Sequence, residues 1–514
     1  VRKIAFSALF ITAGIVAGVA LDRYIPVSYG STVEDSITTT QPTVNSGNDI
    51  PSDSIQLIIP TFLGNSFRAY YGDSLPDTLE MIWKIPLGKG ITYVQGDSAE
   101  EWMGAGWTGQ PLVLEYNSEP FLIQGAFDHH LRCIKAQTGD VVWKYKFDDI
   151  IKGTGTIWID PAPSEPENRV LIMQGSRLGN GNWLSSDTVT SYRSISFFTG
   201  KEVWRMQVER GPSFSRDVDG SGIVVNNVGY IGLENGFLRK FNPAPSAAVR
   251  SDSLLYAVSL ADHPMFRKGD NATHGGELVV ESSPALLNNH LYYTCGSGHV
   301  FGYNLLTDSI DWDLHLGCDM DGSAVVTSDS CLIITLEKQF IKGRGGVMKI
   351  NPRKSPEHCV EWYLPVKNKE FATWHGGIIG SAAINDYTIM GKLNINLTAA
   401  VALDGNLYVM KHQTVKGTDT AYDNVKVYPK PEVVFKLETG PSISTPIFAG
   451  NRLLVATYTN IWLLEYNSNL DFKVLAKVPG GFESTPVCYK GWVFIASRDG
   501  YMYSFGRKEL SFTE

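Results

Sequence analysis

The chain has 514 residues, with 50 Gly, 11% aromatic and only 19% charged residues, a profile of many short strands joined by glycine-containing turns. Its formal net charge of -9, with no basic stripe, argues against a nucleic-acid partner. Cys133, Cys295, Cys318, Cys331, Cys359 and Cys488 form no Cys-x-x-Cys, so zinc-ribbon, thioredoxin-type and covalent c-type haem signatures are absent.

In chain order, Arg2 and Lys3 precede an uncharged apolar run from Ile4 to Leu21, and Asp22, Arg23, Tyr24 and Pro26 end it. Residues 1–26 therefore read as a targeting or anchoring segment. Two readings stay open. A secretory signal would be cut near Ala20, after small residues. A retained helix through residues 4–21 would anchor the chain in the inner membrane, with Arg2 and Lys3 on the cytoplasmic side. Length and Tyr24 favour the anchor; either way the bulk of the chain is expected outside the cytoplasm, in the periplasm of a Gram-negative cell. Residues 27–56 are rich in Ser, Thr, Asp, Asn and Pro and read as a flexible linker.

From residue 57 to 514 a repeat organises the sequence. Ser283-Pro284-Ala285-Leu286-Leu287, His290 to Thr294, Val300 to Asn304 and Thr307 to Leu314 read as four short strands. The same small-small-apolar start recurs at Gln110, Gly155, Ser221, Ser323, Ser381, Thr445 and Thr485. The compact units are spaced by roughly 40 residues, the length of a four-stranded propeller blade. Longer spacings place insertions at 178–187, 242–252, 262–277 and 412–431. A second signature marks the fourth strand. Thr138-Gly139-Asp140-Val141-Val142-Trp143 matches Thr199-Gly200-Lys201-Glu202-Val203-Trp204, and Thr307 to Trp312 repeats it with Asp308 in place of Gly. Trp83 and Trp362 sit in looser copies. Each Trp is expected to pack between neighbouring blades, where a large aromatic face buries most area.

This pattern resembles the tryptophan-docking repeat of PQQ-like propellers, over roughly residues 79–507. That family includes the quinoprotein alcohol dehydrogenases and the propeller lipoprotein of outer-membrane barrel assembly. The expected fold is all-β, an eight-bladed propeller of four-stranded antiparallel blades behind an N-terminal hydrophobic helix. The last blade, Thr485 to Phe505, lacks a fourth strand, and the segment near 79–85 is expected to supply it and close the ring.

The resemblance implies that loops entering each inner strand face the axial channel. The residues there are Trp102, Trp107, Asp217, Asp219, Glu281, Asp319, Asp321, Trp374, His375 and Glu483. Convergent acids are either solvated turn residues or a set that needs a cation, a basic partner or raised pKa values. Asp217-Val218-Asp219-Gly220-Ser221 and Asp319-Met320-Asp321-Gly322-Ser323 resemble the start of oxygen-ligand calcium loops, which makes these four aspartates the candidate metal ligands. Trp107 or Trp374 would stack a flat cofactor, and His375 would act as base. The adjacent cysteine pair of the dehydrogenases is missing, and their ligand set has no residue-by-residue match here. The sequence therefore favours no cofactor over calcium, and calcium over PQQ. Cys318 and Cys331 flank one strand and could pair in an oxidising compartment. The leading functional expectation is a non-catalytic protein-interaction scaffold of an envelope or membrane protein complex. An atypical PQQ- and calcium-dependent dehydrogenase, or a sensor for small molecules or glycans, are the alternatives.

Overall fold

A computed structural model describes residues 54–94, 98–107, 109–179 and 186–508. The expected helix and anchor of residues 4–21, and all but the end of the 27–56 linker, lie outside the described residues. Among the described residues, no helix is long and apolar enough to cross a membrane.

Eight antiparallel units form the propeller, with inner strands at Leu112–Tyr116, Thr156–Ile159, Ile223–Val225, Ala285–Leu287, Val325–Val326, Ala383–Ile384, Ile447–Ala449 and Val487–Tyr489. They follow the eight sequence starts in order. The inner strands are short and built of small or aliphatic residues. Second strands such as Val170–Gly175 are buried along their whole length, because blades flank them on both sides. Such strands read as continuous apolar runs. The outer strand Val141–Lys146 is half exposed and mixes Val, Trp and Lys. The segment Glu80–Pro86 pairs antiparallel with Tyr501–Gly506, so the first part of the domain completes the C-terminal blade and leaves the ring without a free edge there.

Two devices join the blades, and each explains one half of the repeat. The first is a belt of hydroxyls at the inner-strand starts. Ser221 N–H donates to Ser283 Oγ at 2.9 Å, Ser283 to Ser323 at 2.8 Å, and Ser323 to Ser381 at 2.9 Å. Ser381 N–H donates to Thr445 Oγ1 at 3.1 Å and Thr445 to Thr485 Oγ1 at 3.2 Å. Thr485 N–H reaches Gly109 O at 3.2 Å, and Gln110 N–H reaches Thr154 Oγ1 at 2.5 Å. The recurring Ser or Thr thus satisfies a buried amide of the preceding blade. The second device is the tryptophan seam. Trp83, Trp143, Trp204, Trp312 and Trp362 donate their indole N–H to Ala136, Phe197, Pro243, Lys354 and His412 carbonyls of the following blade, at 2.7–3.2 Å.

The glycine of the Thr-Gly turn serves this seam. Gly139 and Gly200 have φ of +77° and +65°, and an added Cβ would lie 2.9 Å from the Ile85 side chain and 3.1 Å from the Trp83 ring, or 2.7 Å from the Trp143 ring. Asp308 takes the same left-handed conformation, φ 55°, in the third copy. The preceding outer strand, Val258–Pro264, has no Trp, and its His263 Nε2 lies 4.0 Å from Asp308 Oδ1. Asp308 pairs with Lys240 at 2.8 Å.

The structure also has elements that the repeat does not announce. Ile55–Ile59 pairs with the inner strand Leu112–Tyr116, and residues 60–75 then cross the space enclosed by the inner strands. Hydrogen bonds tie this plug to every blade. Leu63 N–H donates to Gln110 Oε1 (2.9 Å) and Phe62 N–H to Ser221 Oγ (3.3 Å). Ile157, Leu286, Val326 and Cys488 donate their N–H to Pro60, Ser66, Phe67 and Tyr71 carbonyls at 2.7–3.1 Å. Ile384 N–H donates to Tyr71 Oη at 3.0 Å, and Arg452 Nη1 to Leu75 O at 2.8 Å. At its centre Arg68 is fully buried, donating to Pro284 O, Thr61 Oγ1 and Phe62 O at 2.7–2.8 Å.

Of the insertions, residues 249–256 add two strands to the outside of the second blade. The arm Asn406–Thr420 with Val427–Glu438 extends from the sixth blade and buries Tyr422 beside Tyr363 of the fifth. Lys89–Val94 and Ser98–Met103 form a separate hairpin. All six cysteines are buried and free, so Cys318 and Cys331 do not pair; each is packed as a small apolar residue.

Candidate functional site

Beyond the plug, the acids preceding the third, fourth and fifth inner strands converge. Asp217, Asp219 and Asp319 are buried, at 3%, 7% and 5% exposure, so they are not the solvated turn residues that one reading of the sequence allowed. Two further carboxylates join them, Glu234 and Glu337, each 2% exposed. Both follow a Leu at the end of the second strand of a blade that carries Asp-x-Asp-Gly-Ser. Their amides donate to the carbonyls of Asp217 and Asp319, at 3.4 and 3.3 Å. This recurrence of Leu-Glu after Asp-x-Asp-Gly-Ser was readable in the sequence. Its meaning was not, because only the blade geometry brings the second strand's end beside the first strand's start.

The two sets differ in their counter-charge. In the third blade Lys152 Nζ lies 2.5 Å from Asp219 and 3.4 Å from Asp217, and Arg177 Nε lies 2.8 Å from Asp217. Burial pushes Asp217 up, but Arg177 and Lys152 outweigh it and hold the carboxyl below its usual value. Asp219 stays above its usual value, through burial and Asp217. In the fifth blade Asp319, Asp321 and Glu337 each offer an oxygen within 4.8 Å of the others. Among the described residues, no Lys or Arg forms an ion pair with them. Burial, and then the neighbouring carboxylates, push all three well above the usual range. Asp319 Oδ1 and Glu337 Oε1 have no hydrogen-bond partner. Glu281, between the sets, is pushed up to about 7 by burial.

Trp107 closes this chamber. It holds a left-handed backbone, φ 55°, its N–H donates to Glu483 Oε2 at 3.2 Å and its indole N–H to Glu281 Oε2 at 3.2 Å. Lys152 sits over its ring at 4.8 Å, and Trp374 packs against it at 5.8 Å. Trp374 in turn stacks on Phe371. The structure therefore brings Trp107 and Trp374 together with the aspartates. It leaves His375 exposed and outside the cluster, and places Trp102 on the separate hairpin, against Phe127. Between Trp107's partners and the plug residue Phe62 remains a cavity of about 20 Å³, lined by Asp219, Glu281, Asp321 and Ser323.

No protein-family model matches the sequence, and no curated protein matches it. Solved structures do. BamB from Moraxella catarrhalis aligns at 10% identity over 84% of this chain and 100% of its own, with a TM-score of 0.50. A europium-containing methanol dehydrogenase aligns at 10% identity over 88% and 98%, with a TM-score of 0.51. The quinohemoprotein alcohol dehydrogenase from Comamonas testosteroni aligns at 12% identity over 90% and 81%, with a TM-score of 0.50. The fold is that of the PQQ-like propellers.

Within that fold the axial site has its own character. A 20 Å³ cavity holds a water or an ion, whereas pockets for small organic ligands run to about 300 Å³ or more. The residues do not fit a tricyclic quinone, because the plug and Trp107 occupy the axis. They do fit a hard cation. Asp319, Asp321 and Glu337 supply oxygen donors only, two of them buried and unsatisfied.

Proposed function

We propose that the chain is a non-catalytic protein-interaction scaffold of an envelope complex, attached to the membrane through residues 4–21. The observation that carries this reading is the filled axis. The plug is bonded to all eight blades and Trp107 spans the mouth, so the place where a propeller of this kind would take an organic substrate is closed. Recognition then falls to what projects. The arm of the sixth blade presents Val415, Val425 and Val427 at 54%, 80% and 61% exposure, and the hairpin at residues 89–103 presents Ile91, Tyr93 and Met103. The test is sedimentation of the full chain from membranes opened with mild detergent. The wild type is expected in a larger assembly, and Val425→Asp with Val427→Asp releases it as a monomer without changing its melting temperature. A monomer in every mild detergent would refute the proposal.

A second reading concerns the fifth-blade acids, and the unsatisfied oxygens of Asp319 and Glu337 favour it. A calcium ion held by Asp319, Asp321 and Glu337 would replace the counter-charge that Lys152 and Arg177 supply next door. Its role is structural, tying two turns of one blade together. Calcium is expected to raise the melting temperature of chelator-treated protein, and Asp319→Asn to abolish that rise. An equal rise in the variant would end this reading.

A further inference from the structure

A different cluster lies where the 262–277 insertion meets the fourth blade. Asp270, on the short helix Asp270–Thr273 of the insertion, turns toward His299 on the strand His299–Asn304 and His315 at the end of Ser309–His315. One ligand atom from each lies within 4.8 Å of the others. His299 Nε2 is 3.3 Å from Asp270 Oδ2, and the two imidazole rings lie 4.4 Å apart.

The surroundings hold these side chains in a ligating pose. His299 Nδ1 bonds Asp313 Oδ1 at 2.5 Å, which sets the ring's direction and leaves Nε2 facing the cluster. Arg267 Nε donates to the other oxygen of Asp313 at 2.8 Å, and the His299 ring stacks flat on Phe301. A carboxylate behind a histidine, orienting the ring and raising its basicity, is the usual support of a metal-binding imidazole. Asp270 Oδ2 accepts the Arg267 N–H at 2.5 Å, which keeps the carboxylate beside the rings. A further imidazole waits at the edge. His274 is 3% exposed, and its Nε2 has no hydrogen-bond partner. That nitrogen sits beside Gly298, where an added Cβ would come within 2.8 Å of it. Gly298 and Gly317, both at positive φ, let the two strands approach so closely. His315 is exposed and opens the cluster to solvent.

We propose that Asp270, His299 and His315 bind a divalent transition metal of the zinc class, clamping the insertion to the fourth blade. Two imidazoles and one carboxylate suit zinc and its neighbours rather than calcium or magnesium, which take oxygen ligands. The site is separate from the axial acids, and its chemistry predicts the opposite metal preference.

The experiment uses tag-free full-length protein, stripped with a chelator and titrated with Zn²⁺ by calorimetry and with Co²⁺ by visible absorption. One zinc per chain is expected, with a cobalt spectrum of four-coordinate type. His315→Gln, a change at an exposed position, is expected to weaken zinc binding by at least about ten-fold while the metal-free melting temperature stays constant. Asp313→Asn is expected to weaken it by about 10- to 100-fold. His358→Gln, at an exposed site elsewhere, leaves it unchanged. Absence of saturable zinc binding, binding that His315→Gln does not alter, or equal competition by calcium would each overturn the proposal.

Discussion

Gly200 offers a direct measurement of the blade seam. Substitution by Ala forces a side chain into the left-handed region, at φ +65°, which costs about 1–2 kcal/mol. It also places a Cβ 2.7–2.9 Å from three atoms of Trp143. Overpacking of that kind adds about 1–3 kcal/mol, for a total near 2–5 kcal/mol. Gly450 supplies the control. Its φ is +59°, and nothing lies within 4 Å of an added Cβ, so Gly450→Ala bears the backbone cost alone, about 1–2 kcal/mol. Urea unfolding followed by circular dichroism would compare the two midpoints. Gly200→Ala is expected to unfold at clearly lower urea than Gly450→Ala. The difference should shrink when Trp143→Ala is present as well, because the two ring contacts at 2.7 and 2.8 Å are then removed and only the Trp143 Cβ contact at 2.9 Å is left. Equal midpoints for the two single variants would refute the account of the Thr-Gly turn as a socket for the preceding blade's tryptophan.

Other outcomes follow from the axis and the core. The raised carboxyls Asp319, Asp321 and Glu337 keep protons that the unfolded chain releases above about pH 4, so the folded state binds more protons and stability falls as pH rises from there. Chelator-treated protein is therefore expected to gain melting temperature as pH drops from 8 to 6, with the Glu281 carboxyl, at about 7, contributing within that window. A steady loss over the same range, read by scanning fluorimetry, would contradict the burial assigned to these acids. Glu337→Gln removes one of the mutually repelling carboxylates and should stabilise the chelator-treated protein, as its urea midpoint would report. Arg68→Ala leaves Pro284 O, Thr61 Oγ1 and Phe62 O without their donor, a loss of about 2–4 kcal/mol in urea unfolding. Native protein should leave all six thiols unreactive toward a thiol reagent and expose six after unfolding, since each is buried and free. A count below six in unfolded, unreduced protein would show a disulfide.

Much of the architecture was legible because each repeat feature answers a local need. A hydroxyl recurs at Ser283, Ser323, Ser381, Thr445 and Thr485 because each accepts a buried amide of the neighbouring blade, and the Ser221 hydroxyl donates across its own seam to Thr154 O. Trp recurs because each blade must cover the next, and Gly precedes it by a fixed interval because the preceding Trp rests there. The plug was not legible. Residues 60–78 carry no blade signature, since beyond a few local turns their backbone and side-chain groups bond to the inner strands and loops of blades far apart in sequence. The axial acids were half legible. Asp217, Asp219, Asp319 and Asp321 could be picked out by their turn motif, but Glu234, Glu337, Lys152 and Arg177 belong to other strands and loops.

What the chain determines by itself is the ring: blade number, order, closure and seams, all written in short-range periodicity and small turn motifs. What only the tertiary structure decided is the state of the axis and of the insertion. Whether an acid is solvated, ion-paired or left for a metal depends on which distant loop arrives beside it. In a low-dielectric interior that arrival sets the charge, because a buried carboxylate ionises only where something positive stands next to it.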